Sequence, residues 1–585
     1  MWRRIYFLLV LVRVYFALSP SYLHPDENFQ GPEVIAGRVF DYPVHETWEF
    51  TAAHPIRSVF PLWLAYGWPM YILRWLWEGF GYDVSPAVVY RALRVLMLAL
   101  SLVLEDWAVH ELVESPRARR VAVSLVASSY VTWTFQTHTF SNSLETLLVC
   151  WSLVLVQRIA ADKKRSSVVA SAMLGCMLVV GLFNRITFPA FLLLPGLRLL
   201  PHFTRKPLSL AFLAAAALTT AFVAVCVDTA SYTPGDFSFA ALARPVVAPL
   251  NNLRYNADAA NLALHGLHPR YQHLLANLPQ LLGPAFPLLL SARLAPPLLS
   301  ALSGTALLSI FPHQEPRFLL PAIPLILSSL RLPTRPALWR VWVVSWIVFN
   351  ALLGALMGVY HQGGVVPVQT HLAACASPPG HAFWWKTYSP PTWLLNGRNA
   401  ELQTVDLMGM EAGRMLEAVG AVVPGCDVAS PAGRPETPAS LKPIYLIAPR
   451  SALFLAPYTH PNTSLPLSLE EVFAHRAHVN LDDLDFGGEG VWGTLRRVVG
   501  GRGPFQLPTQ HNHPTYAALN LPPASTSVIF LPPSSHPGTG TALVPSSSPS
   551  PTPASSLPTS PRLSLPAAWP YFFRLATSVS PSNHA

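Results

Sequence analysis

Several short polar stretches concentrate the groups in this chain that can move a proton or hold a charge. SYLHPDENFQ (Ser21–Gln30) offers His24, Asp26 and Glu27 directly after the apolar run WRRIYFLLVLVRVYFAL. FPHQEPRF (Phe311–Phe318) sets His313, Glu315 and Arg317 within five residues. FNRIT carries Arg185, SNSLE carries Glu145 and YHQGG carries His361. A positioned carboxylate takes a proton from an attacking hydroxyl, a contribution of about 10²–10⁴ in rate. An arginine presents a planar fork that matches phosphate oxygens. Adjacent helical positions diverge by roughly 100°, so Asp26 and Glu27 would serve different groups: one accepts a proton, the other binds a hydroxyl or holds the site.

Each stretch also has a plainer explanation. Proline favours the first helical turn, and acids there suit its positive end, so Pro25-Asp26-Glu27 would serve equally as a helix start. Arg317 near the end of an apolar run would snorkel to the interface. Ser141-Asn142-Ser143 would cap a helix, although Glu145 enters the apolar run itself and so faces protein or a water-filled cavity rather than lipid. A metal reading takes His24, Asp26 and His45 or His54, all competent ligand types, but no tight spacing such as HExxH supports it. The acidic run NLDDLDFGGEG (Asn480–Gly490) lacks the full EF-hand spacing and closing glutamate, and reads as a solvated turn.

The elements that must position these groups are membrane spans. The 585 residues are 51% hydrophobic and 12% charged, against about 25% charged in soluble domains. Apolar runs of about 17–25 residues match the hydrocarbon thickness. They recur to roughly residue 360, after the first run, at 88–112, 119–137, 143–160, 167–183, 187–203, 208–228, 278–292, 296–311, 317–331 and 337–360. The net charge of +9 lies in short basic clusters between these runs, which speaks for topology rather than nucleic acid. Arg117 to Arg120, Lys163 to Arg165, Arg205-Lys206, Arg293 and Arg331 to Arg335 fall in alternate loops. With Arg3 and Arg4 held cytosolic, the pattern predicts an all-helical polytopic protein of about eleven spans. Nearly every chemically capable stretch then shares the opposite, non-cytosolic face. This requires that the aromatic run 58–78, with Pro61, Gly67, Pro69 and Arg74, be interfacial or re-entrant.

Residues 1–360 are thus expected to form the multi-span domain and 361–500 a small mixed lumenal region, with strand-like runs such as Ile444–Ala448. Asn462-Thr463-Ser464 is a glycosylation sequon. From about 501 to 585 the Pro-, Ser- and Thr-rich sequence lacks the apolar content for a core and is expected to be disordered. Of five cysteines, Cys150, Cys176 and Cys226 belong to apolar runs. Cys375 and Cys426 would pair only in an oxidising compartment.

Taken together, SYLHPDENFQ, ETWEF (Glu46–Phe50), THTFSNSLE, FNRITFPA, FPHQEPRFLLP and YHQGG resemble the glycosyltransferase family 22 mannosyltransferases. These are multi-span endoplasmic reticulum enzymes of the GT-C class that use dolichyl-phosphate mannose. The resemblance covers roughly residues 1–490, with gaps in the middle loops. FPHQEPRFLLP, KTYSPPTWLL (Lys386–Leu395) and HVNLDDLDFG (His478–Gly487) are most like the branch that adds a fourth, α-1,2-linked mannose to the glycosylphosphatidylinositol (GPI) precursor.

The resemblance implies inversion at the anomeric carbon by one in-line displacement. Asp26 would be the base, and Glu27 would assist or orient the acceptor. Arg317, then Arg185, with His313 nearby, would hold the phosphate. His24, Glu145, Glu315 and His361 complete the expected binding set. No metal and no cofactor are required for that chemistry, and the expected partners are the lipid donor, the GPI glycolipid and the endoplasmic reticulum membrane, with no nucleic acid. Open alternatives are another mannosyltransferase of this family, a lipid or solute transporter, and a non-catalytic glycolipid-binding subunit.

Overall fold

The structure is a computed structural model. It describes residues 2–233, 235, 239–375, 380–395, 402–423, 444–449, 452–459, 467, 469–475, 477–480, 492–493 and the backbone of 526–530. Among them, five helices are long and apolar enough to cross a membrane: Pro86–Leu112, Ser141–Ala161, Pro207–Tyr232, His273–Ser291 and Pro336–Tyr360. Val168–Asn184 and Pro296–Leu308 are shorter apolar helices, and the first helix, α1 (Trp2–Leu18), has 17 residues. This is a multi-pass membrane protein. Several expected spans are broken rather than straight. The run 119–137 divides into Pro116–Ala127 and Tyr130–Thr134, and 317–331 into the 3₁₀ turn Pro316–Leu319 and the helix Ala322–Ser329.

Proline sets many of the helix starts. Pro86, Pro116, Pro296 and Pro336 stand in first turns, where the missing N–H would have no helical partner anyway. The largest apolar core gathers Phe16 of α1 with Val126, Leu153, Phe191, Ile323 and Trp346. By contrast Leu210, Leu218 and Phe222 of Pro207–Tyr232 are exposed, the pattern of a helix solvated by lipid chains. This helix packs closely on Val168–Asn184. A Cβ at Gly175 would collide with the Leu213 carbonyl, so only glycine allows the approach.

The aromatic run is a single helix. Residues 60–79 form one continuous helix that passes from α through a π turn (Trp63–Gly67) and back to α. Its backbone never doubles back: Pro61 sits in the first turn, and Pro69, which has no N–H to donate, follows directly on the π turn that interrupts the α-helical bonding there. Trp68, Tyr71, Ile72 and Trp75 are exposed along it.

Beyond the spans, five strands form one sheet: β1 (His381–Trp385), β2 (Gln403–Met408), β3 (Ile444–Pro449), β4 (Glu470–His475) and β5 (Thr526–Phe530). Their order is β2-β1-β3-β5-β4. β1 runs parallel to β2 and β3, and β5 antiparallel to β3 and β4. Side chains alternate across the pleat. Phe383 and Leu446 pack on Met415 and Val419 of the helix Ala412–Gly420, whereas Ala382, Trp384 and Ile447 face Tyr22, Val365 and Leu372. β5 corrects the expectation of disorder throughout 501–585. TSVIF is a five-residue run of strand formers that the surrounding composition hides. The rest of that segment, the sequon at Asn462, Cys426 and the acidic run after Asn480 lie outside the described residues.

The sheet is joined to the membrane part where the site lies. The Tyr22 hydroxyl donates to the Ser389 carbonyl (2.9 Å), and the Tyr22 amide to the His361 carbonyl (3.2 Å). Gly363 lies directly against the Ala477 carbonyl, where any Cβ would clash.

Candidate active site

Asp26 opens the short helix α2 (Asp26–Phe29), and Pro32 opens the next, α3 (Pro32–Phe40). The loop before α2 is held from behind. Thr139 Oγ1 donates to the Glu27 carbonyl (2.5 Å), and the His138 ring reaches the Ser21 carbonyl (3.1 Å). The Tyr66 hydroxyl donates to the Thr139 carbonyl (3.0 Å). Three neutral hydrogen bonds of this kind contribute roughly 1 kcal/mol each, and together they fix where Asp26 points.

It points at Arg317. The guanidinium pairs with Asp26 through Nη1 and with Glu315 through Nε. His24 closes the group: its Nδ1 lies 3.4 Å from Asp26 Oδ1 and 3.4 Å from Arg317 Nη1. His313 Nε2 lies 3.0 Å from Glu315 Oε1. Asp26 and Arg317 keep 22% and 12% of their side chains exposed, so the pair borders solvent. Burial opposes charge on Asp26, but Arg317 and His24 outweigh it and hold the carboxyl well below the usual range. Glu315 is likewise lowered, its burial overcome by Arg317 and His313. Burial works against the His313 charge too, and the bond to Glu315 turns the balance, leaving the imidazole raised.

The second expected arginine is adjacent. Arg185 Nε lies 3.1 Å from Glu145 Oε2, and its Nη1 donates to Ser141 Oγ (3.0 Å). Thr187 Oγ1 donates to the other Glu145 oxygen (2.5 Å). The helix Ser141–Ala161 has no side-chain cap: Ser141 accepts from Arg185, and Ser143 Oγ donates to the Phe135 carbonyl (2.7 Å). Both arginines lie over Phe318, at 5.2 Å for Arg185 and 5.8 Å for Arg317. Burial, chiefly, lowers Arg185 to about 10, where it is still charged at neutral pH.

Three expected site residues stand elsewhere. Glu27 diverges from Asp26 as a helix requires, and it turns inward. Only 2% exposed, it accepts from the Leu23 amide (3.1 Å), and burial pushes its carboxyl up to about 8. From there it holds the loop. Glu145 is wholly enclosed and acts on Arg185. His361 is enclosed behind His24, its ring 5.3 Å from Tyr388, and burial lowers it to about 4. His24 and Asp26 do meet, as a metal reading needs. Among the described residues, though, no group of three or more His, Cys, Asp or Glu side chains is placed to hold an ion.

The structure adds three residues. Gln30 Nε2 donates to Asp26 Oδ2 (2.6 Å) and to Glu49 Oε2 (3.1 Å), and Arg57 Nε donates to Glu49 Oε1 (2.9 Å). Gln30 follows Asp26 by one helical turn, which brings i and i+4 together. Glu49 lies within ETWEF. Arg57 had no signal beyond being a lone arginine ahead of an aromatic run.

A helical bundle that gathers carboxylates and arginines at the ends of its spans, open to solvent, has the build of a membrane-embedded glycosyltransferase. The sequence profile of the Alg9-like mannosyltransferase family matches residues 4–395, and the chain belongs to that family. It is a mannosyltransferase. Among its relatives, GPI mannosyltransferase 4 of Aspergillus oryzae is 52% identical over 86% of this chain and 98% of its own length. The proteins of that name from Emericella nidulans (49%; 86% and 97% covered) and Saccharomyces cerevisiae (34%; 82% and 95% covered) are further examples. The solved structure of ArnT from Cupriavidus metallidurans bound to undecaprenyl phosphate aligns with a TM-score of 0.44 at 13% identity, covering 81% of this chain and 96% of that one.

Proposed function

We propose that this protein transfers the fourth, α-1,2-linked mannose from dolichyl-phosphate mannose to the third mannose of the GPI precursor, at the lumenal face of the endoplasmic reticulum membrane. The relatives' shared name supports the acceptor, and their near-complete coverage supports the whole activity. The observation that carries the chemistry is the Asp26–Arg317 pair, a carboxylate in contact with a guanidinium of the kind that holds phosphate, at the solvent border.

In this reading the acceptor hydroxyl attacks the anomeric carbon opposite the phosphate. A new C–O bond forms, the C1–O bond to phosphate breaks, and dolichyl phosphate leaves with the electron pair. The hydroxyl proton passes to Asp26. Arg317 and Arg185, both over the Phe318 ring, meet the phosphate and supply fixed positive donors where charge develops. Donor binding also readies the base. A phosphate competes with Asp26 for Arg317, and the loss of that partner raises the carboxylate's proton affinity. No metal enters this scheme. Purified protein supplied with dolichyl-phosphate mannose and a three-mannose GPI acceptor should yield a four-mannose product, α-1,2-linked by linkage analysis. A product on any other glycolipid, or none, removes the reading.

A further inference from the structure

Three aromatic side chains beside the site have no role in the fold's apolar interior. Trp48 is on the four-residue helix α4 (Trp48–Thr51). Its ring centroid lies 5.0 Å from Tyr255 and 6.0 Å from His265, nearly parallel to the latter at 24°. The Tyr255 hydroxyl lies 2.9 Å from His265 Nε2. All three side chains are half-buried, and among the described residues none joins an apolar core cluster. The tryptophans that look outward from the helix 60–79 are different, because that face suits the membrane interface.

The ring series continues into the site. His265 lies 5.8 Å from His313, and His313 lies 5.5 Å from Phe318, the ring that both arginines lie over. The site therefore has two unlike ends. One is cationic, with Arg185 and Arg317 around Phe318. The other is aromatic, with Trp48, Tyr255 and His265, and Glu49 next to Trp48 in sequence. Burial and the Glu49 charge raise the Tyr255 phenol above its ordinary value, which keeps it a hydroxyl donor. A pyranose matches the second end. Its C–H face packs on an aromatic ring by dispersion, while its hydroxyls meet carboxylate, phenol and imidazole. A charged phosphate has nothing to gain there from a neutral ring beside a carboxylate.

We propose that Trp48, Tyr255 and His265, with Glu49, form the seat for a mannose unit of the acceptor glycan, so that acceptor and phosphate enter the site from opposite ends. This rests on the functional reading above. Trp48 is the stacking surface, and Glu49, fixed by Gln30 and Arg57, ties the seated sugar to Asp26 through the Gln30 bridge.

The test uses purified full-length protein, dolichyl-phosphate mannose and the three-mannose GPI acceptor. Trp48→Ala and Trp48→Leu should raise the acceptor KM about tenfold or more. Trp48→Phe, which keeps a ring, should stay within about threefold of wild type, and in all three the donor KM should move far less than the acceptor KM. A donor KM that rises as much as the acceptor KM, or an acceptor KM unchanged in Trp48→Leu, overturns the seat. Unchanged melting temperature in Trp48→Leu separates this from misfolding. Should the wild-type protein fail to transfer mannose to this acceptor, the functional reading falls, and the seat is decided separately by saturation-transfer NMR with a methyl mannotrioside. Saturation of the mannose C–H protons by wild type and its loss in Trp48→Leu uphold the seat. No saturation by wild type overturns it.

Discussion

Two places in this molecule use the same device, an arginine between two carboxylates. Arg317 pairs with Asp26 and Glu315. Arg13, deep in α1, pairs with Asp106 (2.6 Å) and faces Glu105 (3.9 Å), and it donates to Ser101 Oγ (2.6 Å). Their surroundings differ. Arg13 is fully enclosed, with Glu105 at 1% and Asp106 at 5% exposure. Glu105 and Asp106 stand at the exit of the π turn Ser101–Glu105, whose extra residue turns both acids toward α1. Ionisable groups inside a span are costly and invite a functional explanation. Here the sealed cluster fastens one helix to another, and the cluster that borders solvent is the one we propose does the chemistry. Access, rather than charge content, separates the two roles.

The largest effect expected from that contrast is at Asp26. Asp26→Ala should lower mannose transfer by about 10²–10⁴ with little loss of melting temperature, measured on purified protein. Substantial remaining activity would show that the open cluster is as structural as the sealed one. Next comes Arg13→Met, which strands two buried carboxylates and should cost about 3–5 kcal/mol of stability, seen as lost folded yield. The transfer rate per folded molecule should stay near wild type, and a specific loss of rate there would dissolve the contrast. Arg317→Ala should raise the donor KM by about ten- to a hundredfold while the acceptor KM moves less. The smallest effect concerns pH. His313 has a raised folded pKa, so its bond to Glu315 stabilises the fold fully below about pH 6.5 and is lost as pH rises through the raised value. Asp26 and Glu315 are lowered, so their contribution is full above about pH 4.5 and lost only as pH falls well below it. A drop of about 1–2 °C in melting temperature between pH 6 and 8.5 should vanish in His313→Gln. The sealed cluster's helices should show no such step.

The open cluster was legible because its residues sit in short polar stretches between apolar runs, where charge has no cheap structural reason to be. Asp26, Arg317, Arg185 and His313 all came from that signal. Glu27, Glu145 and His361 came from it too, yet they turn inward, since composition does not tell which face of a loop meets solvent. The sealed cluster was invisible for the opposite reason. Glu105 and Asp106 fall at the end of a long apolar run and Arg13 inside another, and only the third dimension brings them together. Glu49 and Arg57 depend on contacts across the fold as well, whereas Gln30 follows Asp26 at helical spacing. The helical membrane class was readable from run length alone. The breaks within spans were not, because π and 3₁₀ turns leave hydropathy unchanged. IYLIA was recognisable as a strand, while TSVIF was concealed by its proline- and serine-rich flanks.

That late strand has a consequence in time. β5 is hydrogen-bonded on both sides, to β3 and to β4, and no other strand lies between them. Synthesis therefore completes β3 and β4 before the piece that unites them. At roughly 5–20 residues per second, β3 waits for seconds with a bare edge, the kind of edge that recruits foreign strands. A message truncated ahead of residue 526 would make that wait permanent, so the apparently dispensable tail carries the latch that ends the protein's vulnerable interval during biosynthesis.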